Sequence, residues 1–381
     1  MRNRIYLDNA ATTTLSPEVL QEMETCLREC YGNPSGVYGT GREAHRLLDQ
    51  ARKRTAAALG AKPQEIYFTS GGSESDNWAI KGGALARRNR GKHLITSAIE
   101  HHAVLHTFQW LETYGFEVTY LPVDGMGRVD PAEAEKAVRP DTTLISIMAA
   151  NNEIGTIQPI PEIAKMARER DILFHTDAVQ AIGAMEMNME KLPVSMLSLS
   201  AHKFHGPKGI GALYVRQGTV IESLIHGGSQ ERGRRAGTEN MPGIVGLGRA
   251  IEKAAAGIPE RAAKTVRLRD LLIRGIHEQI PWARLNGDPI RRLPGNVHFT
   301  FPGVDGEALL LRLDLMGIAC SGGSACTSGA AEPSHVLKAL GQGEELMKSG
   351  LRMTLNEENT EEEILEVIRV LLPLVNELRR E

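Results

Sequence analysis

Ser200-Ala201-His202-Lys203-Phe204-His205-Gly206-Pro207-Lys208-Gly209 follows an apolar, strand-like run from Met196 to Leu199, which places Lys203 on a turn at a strand end. Alone, a lysine among Gly, Pro and His reads as a solvated loop residue. Its partner stretch is His175-Thr176-Asp177-Ala178-Val179-Gln180, where Asp177 closes a second strand-like run that begins at Asp171. Open α/β sheets place their ligands at the carboxyl ends of strands, so a lysine and a carboxylate there can act together. A carbonyl cofactor such as pyridoxal phosphate needs both: a lysine to form a Schiff base, and a carboxylate to keep the pyridine nitrogen protonated.

Working outward, Ser16-Pro17-Glu18 has the form of a helix start, and the helix runs through about Glu29. Helical spacing returns from Gly41 to Leu59. Glu65 to Thr69 reads as a strand, followed by Ser70-Gly71-Gly72-Ser73-Glu74 and a helix through about Arg88. A small-residue turn between strand and helix can cradle a phosphate on free N–H groups, with Gly72 and Ser73 as the closest approach. Further strands are expected at His93–Thr96, ahead of His101, and at 143–150, ahead of Asn152. All five polar positions (Gly72-Ser73, His101, Asn152, Asp177, Lys203) fall just after expected strands. Strands alternating with helices predict a mostly parallel sheet with helices on both faces. The glycine-rich stretch from Gly227 to Asn240 reads as a polar surface loop, or as a segment whose basic and hydroxyl side chains reach an anion across a subunit boundary, and helix is expected from Ile244 to Ile280 with a break at 257–259. The remainder alternates short strands and helices. The expected division is a large domain over 16–257 and a small α+β domain made of 1–15 and 258–381.

The 381 residues carry a formal charge of -3 with 24% charged residues and no like-charge block, which argues against a nucleic-acid surface. No secretory segment is evident at the amino terminus, and charges interrupt every apolar stretch, so a soluble cytoplasmic protein without membrane contact is expected. Cys26, Cys30, Cys320 and Cys326 are too few for a disulfide framework. His102 and His106 stand at a metal-ligand spacing, but no third ligand lies nearby in sequence, and no metal is expected.

These motifs together carry a resemblance. Tyr6-Leu7-Asp8-Asn9-Ala10-Ala11-Thr12-Thr13, Gly32-Asn33-Pro34-Ser35, Thr69 to Asn77, Glu100-His101, Asn152-Glu153-Ile154-Gly155, His175 to Gln180, Ser200 to Lys203, Gly237-Thr238 and Ser324-Ala325-Cys326-Thr327-Ser328 stand in one order along the chain. The chain resembles the cysteine desulfurases of nitrogen fixation and iron–sulfur-cluster assembly, which are class V aminotransferase-like, fold-type I pyridoxal-phosphate enzymes, and this implies a large α/β domain with a mostly parallel seven-stranded sheet. The resemblance implies that Lys203 holds pyridoxal phosphate and moves the Cα proton, and that Asp177 pairs with the pyridine nitrogen. It implies that Gln180 and Asn152 bond the ring oxygen and His101 stacks on the ring. Gly72, Ser73, Ser200 and His202 bind the phosphate, with Thr238 supplied by the partner subunit of a homodimer. Arg352, with Asn152, takes the carboxylate of L-cysteine. Cys326, in a run of small residues unsuited to a buried core thiol, attacks the substrate sulfur and carries it as a persulfide to an acceptor or scaffold protein.

Two other readings share much of this pattern: a related aminotransferase or selenocysteine lyase in which Cys326 is incidental, and a sulfur-relay scaffold without turnover. Cys320 is expected to pack in the core or serve as a second sulfur stop. After Arg352 the chain reads Met353-Thr354-Leu355-Asn356, where the family pattern has a Ser-x-Gly-like turn.

Overall fold

The computed structural model describes residues 4–322 and 333–379. In chain order the strands are β1 (Ile5–Tyr6), β2 (Ile66–Thr69), β3 (His93–Ser97), β4 (Glu117–Leu121), β5 (Thr142–Ser146), β6 (Leu173–Asp177), β7 (Met196–Ser200), β8 (Gly211–Val215), β9 (Arg284–Leu285), β10 (Asn296–Thr300), β11 (Ile318–Ala319) and β12 (Gly350–Thr354). Among the described residues the main sheet has seven strands in the order β2-β8-β7-β6-β5-β3-β4. Only β8 runs against its neighbours, pairing antiparallel with both β2 and β7. Because it reverses twice, β2 points the same way as the parallel strands, and its carboxyl end joins theirs.

Most strands of this sheet are buried along their whole length, as expected when helices cover both faces. Successive residues serve opposite cores: Ile145, Phe174 and Leu197 pack with helices Pro17–Glu29, Gly39–Ala58 and Met241–Ala255, while Leu144, Leu173 and Met196 pack with helices Gly72–Ala86 and His102–Glu112. A separate core gathers Leu7, Leu272, Phe299, Leu351 and Val367, and it includes the amino-terminal arm. The arm crosses to this core because β1 pairs in parallel with β11 and Asp8 bridges Thr354.

Helix boundaries follow local chemistry. Pro17 occupies the first turn after Ser16, and Thr360 with Glu363 forms a capping box for Glu361–Leu378. The expected break at 257–259 is a left-handed Gly257 (φ 67°) between Met241–Ala255 and Ile258–Gln279.

The stretch 227–240 departs from a plain surface loop. Gln230–Gly233 forms one helical turn with Glu231 and Arg232 at positive φ. Glu231 is buried, accepts two hydrogen bonds from Arg52 at 2.7 Å each, and accepts a third from the Phe68 amide at 3.0 Å. Arg235 grips Glu74 through two further bonds of 2.8 and 3.0 Å, and the same carboxylate accepts from the Ser70 amide. These charged anchors tie the stretch to β2 and to the turn after it. Glu231→Ala strands the Arg52 guanidinium in the core, so stability should fall by about 3–5 kcal/mol in urea denaturation.

Candidate active site

At the carboxyl ends of the parallel strands lies a cavity of about 360 Å³ lined by Gly72, Ser73, His101, Asn152, Asp177, Gln180, Ser200, His202, Lys203 and Arg352. Sequence reasoning named every one of these, from segments spread over 280 positions of the chain (352 − 72). A second opening, lined by Ser70, Gly71, Gly72, Ser73, Ser200, His202 and Lys208, adjoins it at the start of helix Gly72–Ala86. Thr238 is exposed on this chain and does not line the cavity. Cys326 lies outside the described residues.

Asp177, the last residue of β6, is only 6% exposed, and its Oδ1 accepts from the Val179 amide at 2.9 Å. Burial pushes its carboxyl up to about 6, while Lys203 acts in the opposite sense. Lys203 ends the short turn Ala201–Lys203 after β7, and its Nζ donates to the carbonyls of Ala10 and Ala11 at 2.5 and 2.7 Å. The Gln180 amide donates to the same Ala10 carbonyl at 2.9 Å. The amino-terminal arm thus forms one wall of the cavity. The Nδ1 of His101 accepts from the Ala103 amide at 3.1 Å, capping helix His102–Glu112. In that role Nδ1 carries no proton, and burial with nearby Lys203 holds the ring pKa down to about 4, so His101 is neutral with its proton on Nε2.

Arg352, on β12, is 2% exposed. Its Nη2 donates to Asp8 Oδ1 at 2.8 Å and its Nη1 to the Asn152 carbonyl at 3.1 Å. Burial removes it from the class of surface ion pairs to which an isolated arginine in a sequence is first assigned.

The cavity fits pyridoxal phosphate in shape and charge. The first amides of helix Gly72–Ala86 face the phosphate end as unsatisfied donors of a helix terminus. A Cβ on Gly72 would stand 2.8 Å from Val179 Cγ2, so a side chain there would crowd the cradle. At the other end the buried Asp177 calls for a protonated partner, which a pyridinium nitrogen supplies. Thr176 Oγ1 and Asp76 Oδ1 are also buried without a hydrogen-bond partner among the described residues, although His175 Nε2 stands 3.6 Å from Asp76 Oδ1.

Several site residues escaped sequence reasoning. Glu153 and Ser334 share a short hydrogen bond, and His335 Nε2 meets the Glu100 carbonyl at 2.9 Å, joining the chain just after the cysteine-bearing stretch to the cavity wall. Rings of His102, His106 and His335 cluster at its mouth, yet no set of His, Cys, Asp or Glu among the described residues has metal-binding geometry. Cys320 packs against the core with Phe299, and burial raises its thiol to about 12. Glu100, fully buried near Asp177, is raised to about 8 by burial.

Comparison with known proteins gives a consistent picture. A family model described as aminotransferase class-V matches residues 5–367. "Cysteine desulfurase IscS" of Methanosarcina thermophila is 56% identical over 98% of this chain and 93% of its own length. The protein of that name in Clostridium botulinum is 52% identical over 100% of this chain and 96% of its own. A solved structure titled "NifS-like protein" superposes with a TM-score of 0.93 at 42% identity, covering 98% of this chain and all of that one. Another, "SspA in complex with cysteine", gives 0.80 at 39% identity over 93% and 99% of the two chains.

Glu100 sets a measurable pH dependence. Its folded pKa lies above the ordinary value of 4.5, so between pH 4.5 and about 8 the folded chain holds a proton that the unfolded chain has lost. This contribution makes stability fall as pH rises through that window. Glu100→Gln removes it, so urea denaturation at pH 5 and pH 8 should show the variant losing less stability than the parent on going to the higher pH.

Proposed function

We propose that this chain, which belongs to the aminotransferase class-V family, is a pyridoxal-phosphate-dependent cysteine desulfurase that converts L-cysteine to L-alanine and passes the sulfur to Cys326. The observation that carries the reading is one cavity joining Lys203, buried Asp177, neutral His101 and buried Arg352, in a chain about half identical over its full length to proteins named cysteine desulfurase.

Pyridoxal phosphate supplies the carbonyl that captures the amino group of L-cysteine and a ring that accepts electrons from its Cα. Gly72, Ser73, Ser200 and His202 hold the phosphate, and Asp177 holds the pyridine nitrogen protonated. Asn152 and Gln180 fix the ring oxygen, and neutral His101 covers the ring face without adding a competing cation. Arg352 receives the substrate carboxylate, and Lys203 Nζ takes the Cα proton and returns it on the alanine side. Cys326, as thiolate, forms a bond to the substrate sulfur while the carbon–sulfur bond breaks and its electron pair stays with carbon. Alanine leaves, and the persulfide on Cys326 goes to a sulfur-acceptor protein of iron–sulfur cluster assembly.

The exposed Thr238, anchored through Arg235 and Glu231 to its own chain, serves the phosphate site of a second copy, so the working unit is a homodimer. The large unit is 16–257, and the small unit is 1–15 with 258–381. Among the described residues no helix is long and apolar enough to cross a membrane.

Turnover is assayed as alanine and sulfide formed from L-cysteine with a thiol reductant. Lys203→Ala and Cys326→Ala should each lose activity by at least about a hundredfold, the scale of removing a principal catalytic group. Cys326→Ala should retain the cofactor's visible absorbance. A Cys326→Ala protein that still turns over would point to a lyase or aminotransferase.

A further inference from the structure

Arg352 serves two molecules with the same α-carboxylate, the substrate cysteine and the product alanine. An interaction made equally with both strengthens binding without lowering the chemical barrier, and a strong one retards product release. A guanidinium at 2% exposure is a strong anion site, because its charge is little screened by solvent. Its own chain supplies a counter-charge in Asp8, whose Oδ1 accepts from Arg352 Nη2 at 2.8 Å. Asp8 does not line the cavity and approaches the guanidinium from the amino-terminal arm.

The arm holds Asp8 firmly. The Thr354 amide donates to Leu7 O at 2.7 Å, the Asn9 amide to Thr354 O at 3.3 Å, and the Tyr6 hydroxyl to the Asp8 carbonyl at 3.1 Å. The residues on either side of Asp8, Leu7 and Asn9, are thus both tied to Thr354 of β12, so the carboxylate cannot drift from the guanidinium without unzipping the arm. Glu153, a second carboxyl near Arg352, is raised by burial and bonded to Ser334, which leaves Asp8 as the better counter-ion.

We propose that Asp8 is a positioning residue that presets the carboxylate affinity of Arg352, holding it low enough for alanine to leave. The inference rests on reading Arg352 as the carboxylate receptor. A bound α-carboxylate brings a second negative charge to a guanidinium that already carries one, and the repulsion discounts its binding. Asp8→Asn keeps an oxygen at the acceptor position and removes only the charge.

The test is calorimetric titration of the cofactor-loaded protein with L-alanine and with L-alaninamide, which lacks the carboxylate charge. In Asp8→Asn the affinity for L-alanine should rise about tenfold, the size of one partly screened like-charge repulsion, while that for alaninamide stays level. Asp8→Ser, which also removes the charge, gives the same reading should the amide variant fail to fold. Alanine affinity unchanged or weakened in both variants, or gained equally by alaninamide, overturns the proposal. Arg352→Gln separates the two layers: it should abolish the preference for alanine over alaninamide. If that preference survives, the receptor assignment itself fails, whatever Asp8 does.

Discussion

A carboxylate buried at the carboxyl end of a parallel strand is the constraint on which this site turns. Asp177 has lost nearly all its water, and burial alone pushes it toward the neutral form. It can stay ionised only beside positive charge. Lys203 provides part of that charge from the turn after the next strand, and in the proposed reading a pyridinium nitrogen held in the cavity would provide the rest. A cofactor bound in that way would relieve a cost that the fold has built in, which would couple loading to stability.

The sheet and the amino-terminal arm divide the remaining work. Parallel strands deliver their polar ends to one side, and the antiparallel β8 preserves that convergence by turning β2 to face the same way. The arm then closes the site from the other core: its Ala10 and Ala11 carbonyls orient Lys203, its Ala10 carbonyl anchors Gln180, and its Asp8 meets Arg352. One short segment thus touches Lys203, Gln180 and Arg352. The chain beyond the cysteine-bearing stretch joins the same wall through Ser334 and His335.

Much of this was readable in the residues because strand-end positions carry their own local signal. Lys203, Asp177, His101 and Gly72 each follow a short apolar run, and the sheet did gather them. Strand β8 went unread because Ile210 to Val215 follows so closely on Lys208-Gly209 that it looks like the tail of the lysine motif. The anchors of the stretch 227–240 leave no local signal because they are charged and distant: Glu231 is buried against Arg52, which lies far away in the sequence. Asp8 stood in a quoted motif without a role, since its partner is 344 positions away. Pairings of this kind depend on the closed fold and leave no periodicity behind.

The most direct test of the central claim is the mass of the intact, cofactor-loaded protein after exposure to L-cysteine without reductant, with the alanine released counted in the same sample. Transfer of sulfur to Cys326 predicts a gain of one sulfur atom, located to the peptide bearing Cys326 and removed by a thiol reductant, together with one alanine per chain. Alanine formed with no mass gain on that peptide, or a keto acid in place of alanine, would contradict it.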